Sequence, residues 1–193
     1  MGGEMLILLE GLGRTGKTTL AQRLCADLPA YHYIHFSVPD RPNAMEYFRE
    51  RLGDAVAEHG EHLILDRFHW SNHAYGDRFG GSVLTDSDFC WLDLWLAERR
   101  VAALLLVDDP RAILRRMADT IIQEPEKRVL TSMAEIGEIQ NRFYLCFDRS
   151  AISLKWALGL DQLFDLDTDD QQPTAAYRRL LTYIQSDGRE VEE

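Results

Sequence analysis

The sequence predicts an α/β fold, a doubly wound parallel sheet of five strands with helices on both faces. Three observations carry this. Short apolar runs alternate with longer amphipathic segments along the 193 residues, as repeated strand–helix–strand units require. The first run, Met5-Leu6-Ile7-Leu8-Leu9, is apolar without interruption, as suits a strand buried on both faces. That run leads into a glycine-rich turn, and the turn into a segment of helical period.

The elements follow in order. Leu20, Ala21, Leu24 and Leu28 recur every three to four residues, so Lys17 to Leu28 reads as a helix that Pro29 ends. Tyr33 to Phe36 is a second strand and Pro42 to Glu58 a helix. His62-Leu63-Ile64-Leu65 is a third strand, closing on Asp66-Arg67. Phe68 to Gly81 reads as an irregular, aromatic, glycine-bearing loop. Asp86 is placed to cap a helix through Arg99, with Phe89, Leu92, Trp95 and Leu96 on its apolar face. Trp91 and Trp95 read as core packing. Ala102 to Val107 is a fourth strand, and Asp109-Pro110 opens a helix with proline at its first position. Leu130 to Trp156 is mostly helical, Leu163 to Leu166 the fifth strand, and Pro173 to Gln185 a closing helix. Residues 1–193 form one domain on this reading. The charged segment around 111–128, interrupted by Pro125, is the expected lid, and the acidic tail 187–193 is expected to fray.

Composition excludes several classes. With 46% hydrophobic and 27% charged residues, the chain is neither a disordered tail nor a fibrous repeat. No apolar run reaches the ~18–20 residues of a membrane span, so no membrane partner is expected. The amino terminus lacks the pattern of a secretory signal. Cys25, Cys90 and Cys146 lie far apart with no CxxC pair, so a reducing, cytoplasmic setting is expected, a host cytoplasm if the protein is viral. The formal net charge is −11, and residues 161–193 contribute −6 of it. That leaves no global basic field for nucleic acid, though a local basic groove stays open. A homodimer stays open as well.

The strongest chemical signal is Gly11-Leu12-Gly13-Arg14-Thr15-Gly16-Lys17-Thr18, a complete G-x-x-x-x-G-K-[ST] phosphate-binding loop between a buried strand and a helix. Glycines let backbone N–H groups converge on a phosphate, and the helix start adds its positive end. Lys17 is expected to bridge the β- and γ-phosphates of ATP and Thr18 to ligate Mg²⁺. The second signal is Asp66, a carboxylate at the end of a buried strand about fifty residues on. It is suited to organise Mg²⁺ or to receive a proton from an acceptor.

The third signal is Arg67-Phe68-His69-Trp70-Ser71-Asn72-His73-Ala74-Tyr75-Gly76. His69 and His73 stand four apart with no third metal ligand evident. In this stretch the chain resembles the thymidylate-kinase group of P-loop nucleotide kinases. Members of that group end the third strand in Asp-Arg-Tyr or Asp-Arg-His, followed by a Ser and then Ala-Tyr-Gln. Asp66-Arg67-Phe68, Ser71 and Ala74-Tyr75 keep that order and spacing, and Glu10-Gly11 through Thr18-Thr19 is similar to the group's first turn. The specific likeness extends to about Tyr75. It implies a P-loop kinase fold with a small helical lid, donor contacts from Lys17 and Thr18, and a phosphoryl-clamping role for Arg14. It also implies acceptor-side roles for Asp66 and Arg67. Arg115, Arg116 and Arg128 fall in the lid-like segment.

Three departures from the group lie on the acceptor side. Gly13 stands where thymidylate-using members carry Asp. His35-Phe36-Ser37-Val38-Pro39-Asp40-Arg41-Pro42 stands where they carry Arg-Glu-Pro-Gly-Gly, and Gly76 stands where they carry Gln. The pattern looks more like a phage branch of the group that phosphorylates 5-hydroxymethyl-deoxyuridine already in DNA, a step of DNA hypermodification. The resemblance therefore implies ATP-dependent transfer to a pyrimidine deoxynucleotide, the favoured acceptor being that hydroxymethyl group. Thymidylate or another deoxynucleoside monophosphate is the alternative, and an acceptor-free ATPase or switch the third. Such an acceptor base must leave its stack and lie between aromatic walls. Phe68, Trp70, Tyr75 and Phe79 are the candidate walls, with Ser71 nearby and Arg78 as a phosphate contact.

Overall fold

The computed structural model describes residues 5–123, 130–166 and 172–186. Five strands, β1 (Leu6–Gly11), β2 (His32–His35), β3 (Leu63–Asp66), β4 (Val101–Leu106) and β5 (Lys155–Leu158), form one sheet in the order β2-β3-β1-β4-β5. Every neighbouring pair is parallel. Among the described residues, eight helical segments connect and follow the strands: α1 (Lys17–Asp27), α2 (Ala44–His59), α3 (His69–Tyr75), α4 (Asp86–Ala97), α5 (Pro110–Gln123), α6 (Met133–Arg149), α7 (Leu160–Leu163) and α8 (Ala175–Gln185). This is the doubly wound α/β architecture that the alternation predicts.

Strand alternation sends the buried run of β1 to two cores. Leu6 and Leu8 face the core completed by α2, α3, α4, α5 and α6, while Ile7 and Leu9 face the one completed by α1, α7 and α8. Register then decides where the loops meet. Leu9 pairs with Asp66, His35 with Asp66, and Gly11 with Leu106. β2 and β3 therefore end level, β1 runs two residues further to Gly11, and the turns leaving them converge at one edge, where ligands of open α/β sheets bind.

The fifth strand corrects the sequence reading. It is Lys155–Leu158, not Leu163–Leu166, and it pairs with Ala103–Leu106 of β4. Helix α6 stops at Arg149, where Ser150 turns extended (φ −63°, ψ 135°). Lys155 Nζ then donates to the carbonyls of Phe147 (2.6 Å) and Ser150 (2.8 Å). That satisfies terminal acceptors a helix end leaves open. Leu163 and Phe164 are both buried because they turn a corner, Phe164 lying 4.7 Å from the Tyr177 ring of α8.

Two smaller differences concern capping. Thr85, not Asp86, caps α4, in a reciprocal pair with Asp88. Part of the stretch expected to be irregular is helix α3, whose cap comes from far away in sequence. Of the expected lid, residues 111–123 belong to α5, with Ile113, Met117 and Thr120 buried. Residues 124–128, Arg128 among them, and the tail 187–193 lie outside the described residues.

Candidate active site

The turn after β1 is shaped by its glycines. Gly11 has φ +130°, and a Cβ there would sit 2.2 Å from the Leu106 carbonyl oxygen of the adjoining strand. Gly16 has φ +92°, and its Cβ would meet Leu160 at 2.6 Å. Only glycine fits either place. Gly16 then precedes α1, whose first-turn N–H groups open onto the cleft. Arg14 takes φ +69° and is exposed at the rim.

Lys17 is buried beneath this loop. Its Nζ donates to the carbonyls of Gly11 (2.8 Å) and Leu12 (2.6 Å), which brace the loop from inside. Burial, and next the Arg67 guanidinium, push the Lys17 ammonium down to about 7, with Asp66 and Glu10 opposing. A phosphate in the cleft would supply the charge this ammonium lacks.

Asp66 ends β3 with its carboxylate buried. Oδ2 accepts from the Tyr33 hydroxyl (2.7 Å) and lies 3.3 Å from His35 Nδ1. Burial would raise this group, but the His35 hydrogen bond, the Lys17 charge and the Tyr33 hydroxyl outweigh it and hold Asp66 below the usual carboxylate range. Oδ1 is buried and has no hydrogen-bond partner among the described residues. The Thr18 side chain lies near the Tyr33 hydroxyl that donates to this carboxylate. An orphaned carboxylate oxygen and a hydroxyl suit Mg²⁺, which takes few protein ligands and keeps water and phosphate oxygens for the rest. Among the described residues no cluster of three or more His, Cys, Asp or Glu could hold a metal.

Two cavities meet here. A cleft of about 760 Å³ runs along the phosphate loop past Gly13 to Thr19, Arg116 and Leu160. A slot of about 230 Å³ opens beside it, walled by Phe36, Phe48 and Phe68 and bounded by Ser71, Asn72 and Gly76. His35, Val38, Arg67, Tyr75 and Phe79 line both. Val38 and Pro39 meet the loop at Gly81, where a Cβ would come within 2.6 Å of Val38 and 2.5 Å of the Pro39 oxygen. That contact roofs the slot.

The acceptor-side residues separate into two groups. Arg67 (φ +64°) lies between the cavities, and its guanidinium has no hydrogen-bond or ion-pair partner among the described residues. Phe68 and Tyr75 line the slot, as does Ser71, whose hydroxyl donates to Glu10. Trp70 corrects the sequence reading. It is fully buried, lines neither cavity, and donates its ring N–H to Asp93 (3.3 Å). Position 70 lies on the core side of α3, so its ring packs against Phe147. Arg78 is a second correction: it pairs with Glu135 of α6, off the lining of either cavity. Arg116 faces the donor cleft and pairs with Asp108, while Arg115 is exposed. Arg41 pairs with Glu50. Trp91 is 47% exposed under Arg49 rather than packed in the core. His69 bonds to Asp93 (3.0 Å), His73 stands 3.6 Å from Asp86, and the two share no partner among the described residues.

Three residues at the site escaped the sequence reading. Tyr33 and His35, two apart on β2, share a side of the strand, the i, i+2 signal that would have found them. Glu10 is a charge within a buried strand, itself unusual. Its Oε1 accepts from Trp70 N (3.0 Å), and its Oε2 accepts from Ser71 N (3.1 Å) and the Ser71 hydroxyl. It thereby caps α3 from β1. Burial, against these bonds and Lys17, raises its carboxyl to about 8.

No protein-family model and no curated protein matches the sequence. Solved structures do match. The YorR protein of Bacillus subtilis, solved in complex with phosphorylated GDP, aligns at 23% identity over 81% of this chain and 86% of its own, with a TM-score of 0.63. Polyphosphate kinase 2 of Arthrobacter aurescens aligns at 13% identity over 80% of this chain and 60% of its own, TM-score 0.52. Thymidylate kinase of Candida albicans aligns at 18% identity over 95% and 93% of the two chains, TM-score 0.49. The first two alignments show that the chain shares the α/β fold of these two structures, with its five-stranded parallel sheet.

Proposed function

We propose that this chain is a phosphotransferase that passes the γ-phosphoryl group of ATP to a hydroxyl on a pyrimidine deoxynucleotide. The observation that carries this is the junction of two cavities over Asp66: a phosphate-loop cleft and an aromatic slot sharing Arg67, His35 and Tyr75. A nucleotide switch or simple ATPase has no need of the second cavity. In this reading Lys17 leaves the Gly11 and Leu12 carbonyls for the β- and γ-phosphates, and Arg14 and Arg116 flank the transferring group. Asp66 Oδ1 and the Thr18 hydroxyl would hold Mg²⁺, which neutralises phosphate charge when bound. The acceptor hydroxyl oxygen attacks the γ-phosphorus as its proton passes to the Asp66 carboxylate, the bond to the β–γ bridging oxygen breaks, and ADP leaves.

The favoured acceptor is the 5-hydroxymethyl group of 5-hydroxymethyl-deoxyuridine in DNA. A free monophosphate brings about two negative charges. Among the described residues the slot offers it one unpartnered guanidinium, Arg67, while Arg41 and Arg78 are bound to Glu50 and Glu135. A base within DNA asks less, since its flanking phosphates can be held outside the slot.

The test is transfer of labelled γ-phosphate from ATP and Mg²⁺ to three acceptors: DNA containing hydroxymethyluracil, the same DNA without it, and thymidylate. Label on the first alone is expected. Label on thymidylate with DNA untouched would overturn the acceptor and leave the kinase standing. ATP hydrolysis that no acceptor alters would overturn the kinase reading.

A further inference from the structure

We infer that Tyr75 is a positioning residue that couples the aromatic slot to the phosphate loop, so that a base in the slot tightens nucleotide binding in the cleft. The inference rests on the two-cavity reading above and extends it to communication between the cavities.

The Tyr75 hydroxyl accepts the backbone N–H of Gly13 at 2.8 Å. Gly13 is the third residue of the phosphate loop, sixty-two positions away in sequence. The ring of Tyr75 lines both cavities, with Phe79 at 5.2 Å on one side and Phe143 of α6 edge-on at 5.7 Å. The residue that touches a slot occupant is thus also the one holding the loop from outside. Lys17 holds the same loop from inside through Gly11 and Leu12.

The backbone contact tolerates a Cβ at position 13, and only a longer side chain would crowd it. A Cβ there would lie 3.8 Å from the Tyr75 hydroxyl and 3.7 Å from the Arg67 guanidinium. A longer acidic side chain would reach into the gap between them. The contact leaves the phosphate site intact, because the amides that open onto the cleft at the start of α1 follow Gly13.

An aromatic ring wedged between Tyr75 and the phenylalanine wall restricts displacement of the whole tyrosine side chain, and the hydroxyl carries that restriction to Gly13. Ordering the loop before nucleotide arrives lowers the entropy its binding must overcome. Coupling of this kind is reciprocal. Tyr75→Phe keeps the ring and the slot and removes only the acceptor oxygen.

The test measures binding of a non-hydrolysable ATP analogue by calorimetry, with and without saturating thymidine as slot probe, in wild type and Tyr75→Phe. In wild type thymidine is expected to tighten analogue binding by ~5-fold or more, within the usual range of such couplings. In Tyr75→Phe the factor is expected to fall below ~2-fold. A second measurement needs no nucleotide: thymidine should protect the amides of residues 13–18 from hydrogen exchange in wild type and not in Tyr75→Phe. Wild-type coupling or protection retained in Tyr75→Phe would overturn the inference, as would two ligands that bind wild type independently. If thymidine does not bind wild type at all, the two-cavity reading fails and this inference with it.

Discussion

The Tyr33 hydroxyl donates to Asp66 Oδ2 at 2.7 Å, and with His35 it occupies one oxygen of that carboxylate while Oδ1 is left buried and unpartnered. One side of Asp66 is therefore structural and the other is available to chemistry. The distinction predicts two different mutant behaviours. Asp66→Asn keeps an oxygen for Tyr33 and loses the charge, so phosphoryl transfer should fall by ~10² or more. Tyr33→Phe leaves the charge and frees Oδ2, so it should cost less, within ~10-fold. Steady-state transfer rates of the two variants check this ordering, and the reverse ordering would reassign the role of Asp66.

Lys17→Ala removes an ammonium that the fold buries at the expense of its charge. Transfer should fall by ~10² to 10³-fold, the scale of losing one preorganised donor to a transferring phosphoryl group. Thermal unfolding of the ligand-free protein should change little, because the lost bonds to Gly11 and Leu12 are offset by relief of a desolvated charge. Near-native turnover would remove Lys17 from the donor site.

Glu10 predicts a pH dependence of stability. Burial raises its carboxyl from 4.5 to about 8 in the folded protein. The folded state binds the proton more tightly than the unfolded chain, so between about pH 4.5 and pH 8 folding takes up a proton. The contribution of Glu10 therefore makes unfolding free energy fall as pH rises through that window. Urea denaturation from pH 5 to pH 8 should show this slope in wild type and a smaller one in Glu10→Gln. Equal slopes would mean that Glu10 is ionised throughout.

Trp70 is assigned to the core, not to the acceptor. Trp70→Ala should lower unfolding free energy by ~3–5 kcal/mol, as large aromatic truncations in cores do. Trp70→Phe, which keeps the packing and loses the bond to Asp93, should leave the acceptor KM within ~3-fold while lowering stability by ~1 kcal/mol. A selective rise in acceptor KM would return Trp70 to the slot.

Much of this was legible in the residues themselves. Met5-Leu6-Ile7-Leu8-Leu9 could only be a strand covered on both faces, and Gly11, Gly16, Lys17 and Thr18 announce their purpose because the spacing is a local backbone requirement. Glycine capping of one turn, proline at the first position of α5 and the periodicity of α1 are likewise local. The fifth strand was misplaced for the opposite reason. Lys155-Trp156-Ala157-Leu158 is half-buried at the sheet edge, so its pattern is weak, whereas Leu163 and Phe164 are strongly apolar and buried at a corner.

By itself the sequence determined a doubly wound α/β chain with a phosphate loop after its first strand and a carboxylate at the end of its third. These depend on short-range geometry and on which residues tolerate burial. The tertiary structure decided what lies across from what. Parallel register brought His35 and Asp66 level, the reach of Glu10 from β1 made a helix of residues 69–75, and the same helix turned Trp70 inward and Tyr75 toward Gly13. Those pairings join residues that are dozens of positions apart. They exist only because two strand ends and a capped turn meet at one edge of the sheet, where non-local hydrogen bonds choose which side chain of an aromatic stretch lines a cavity and which fills the core.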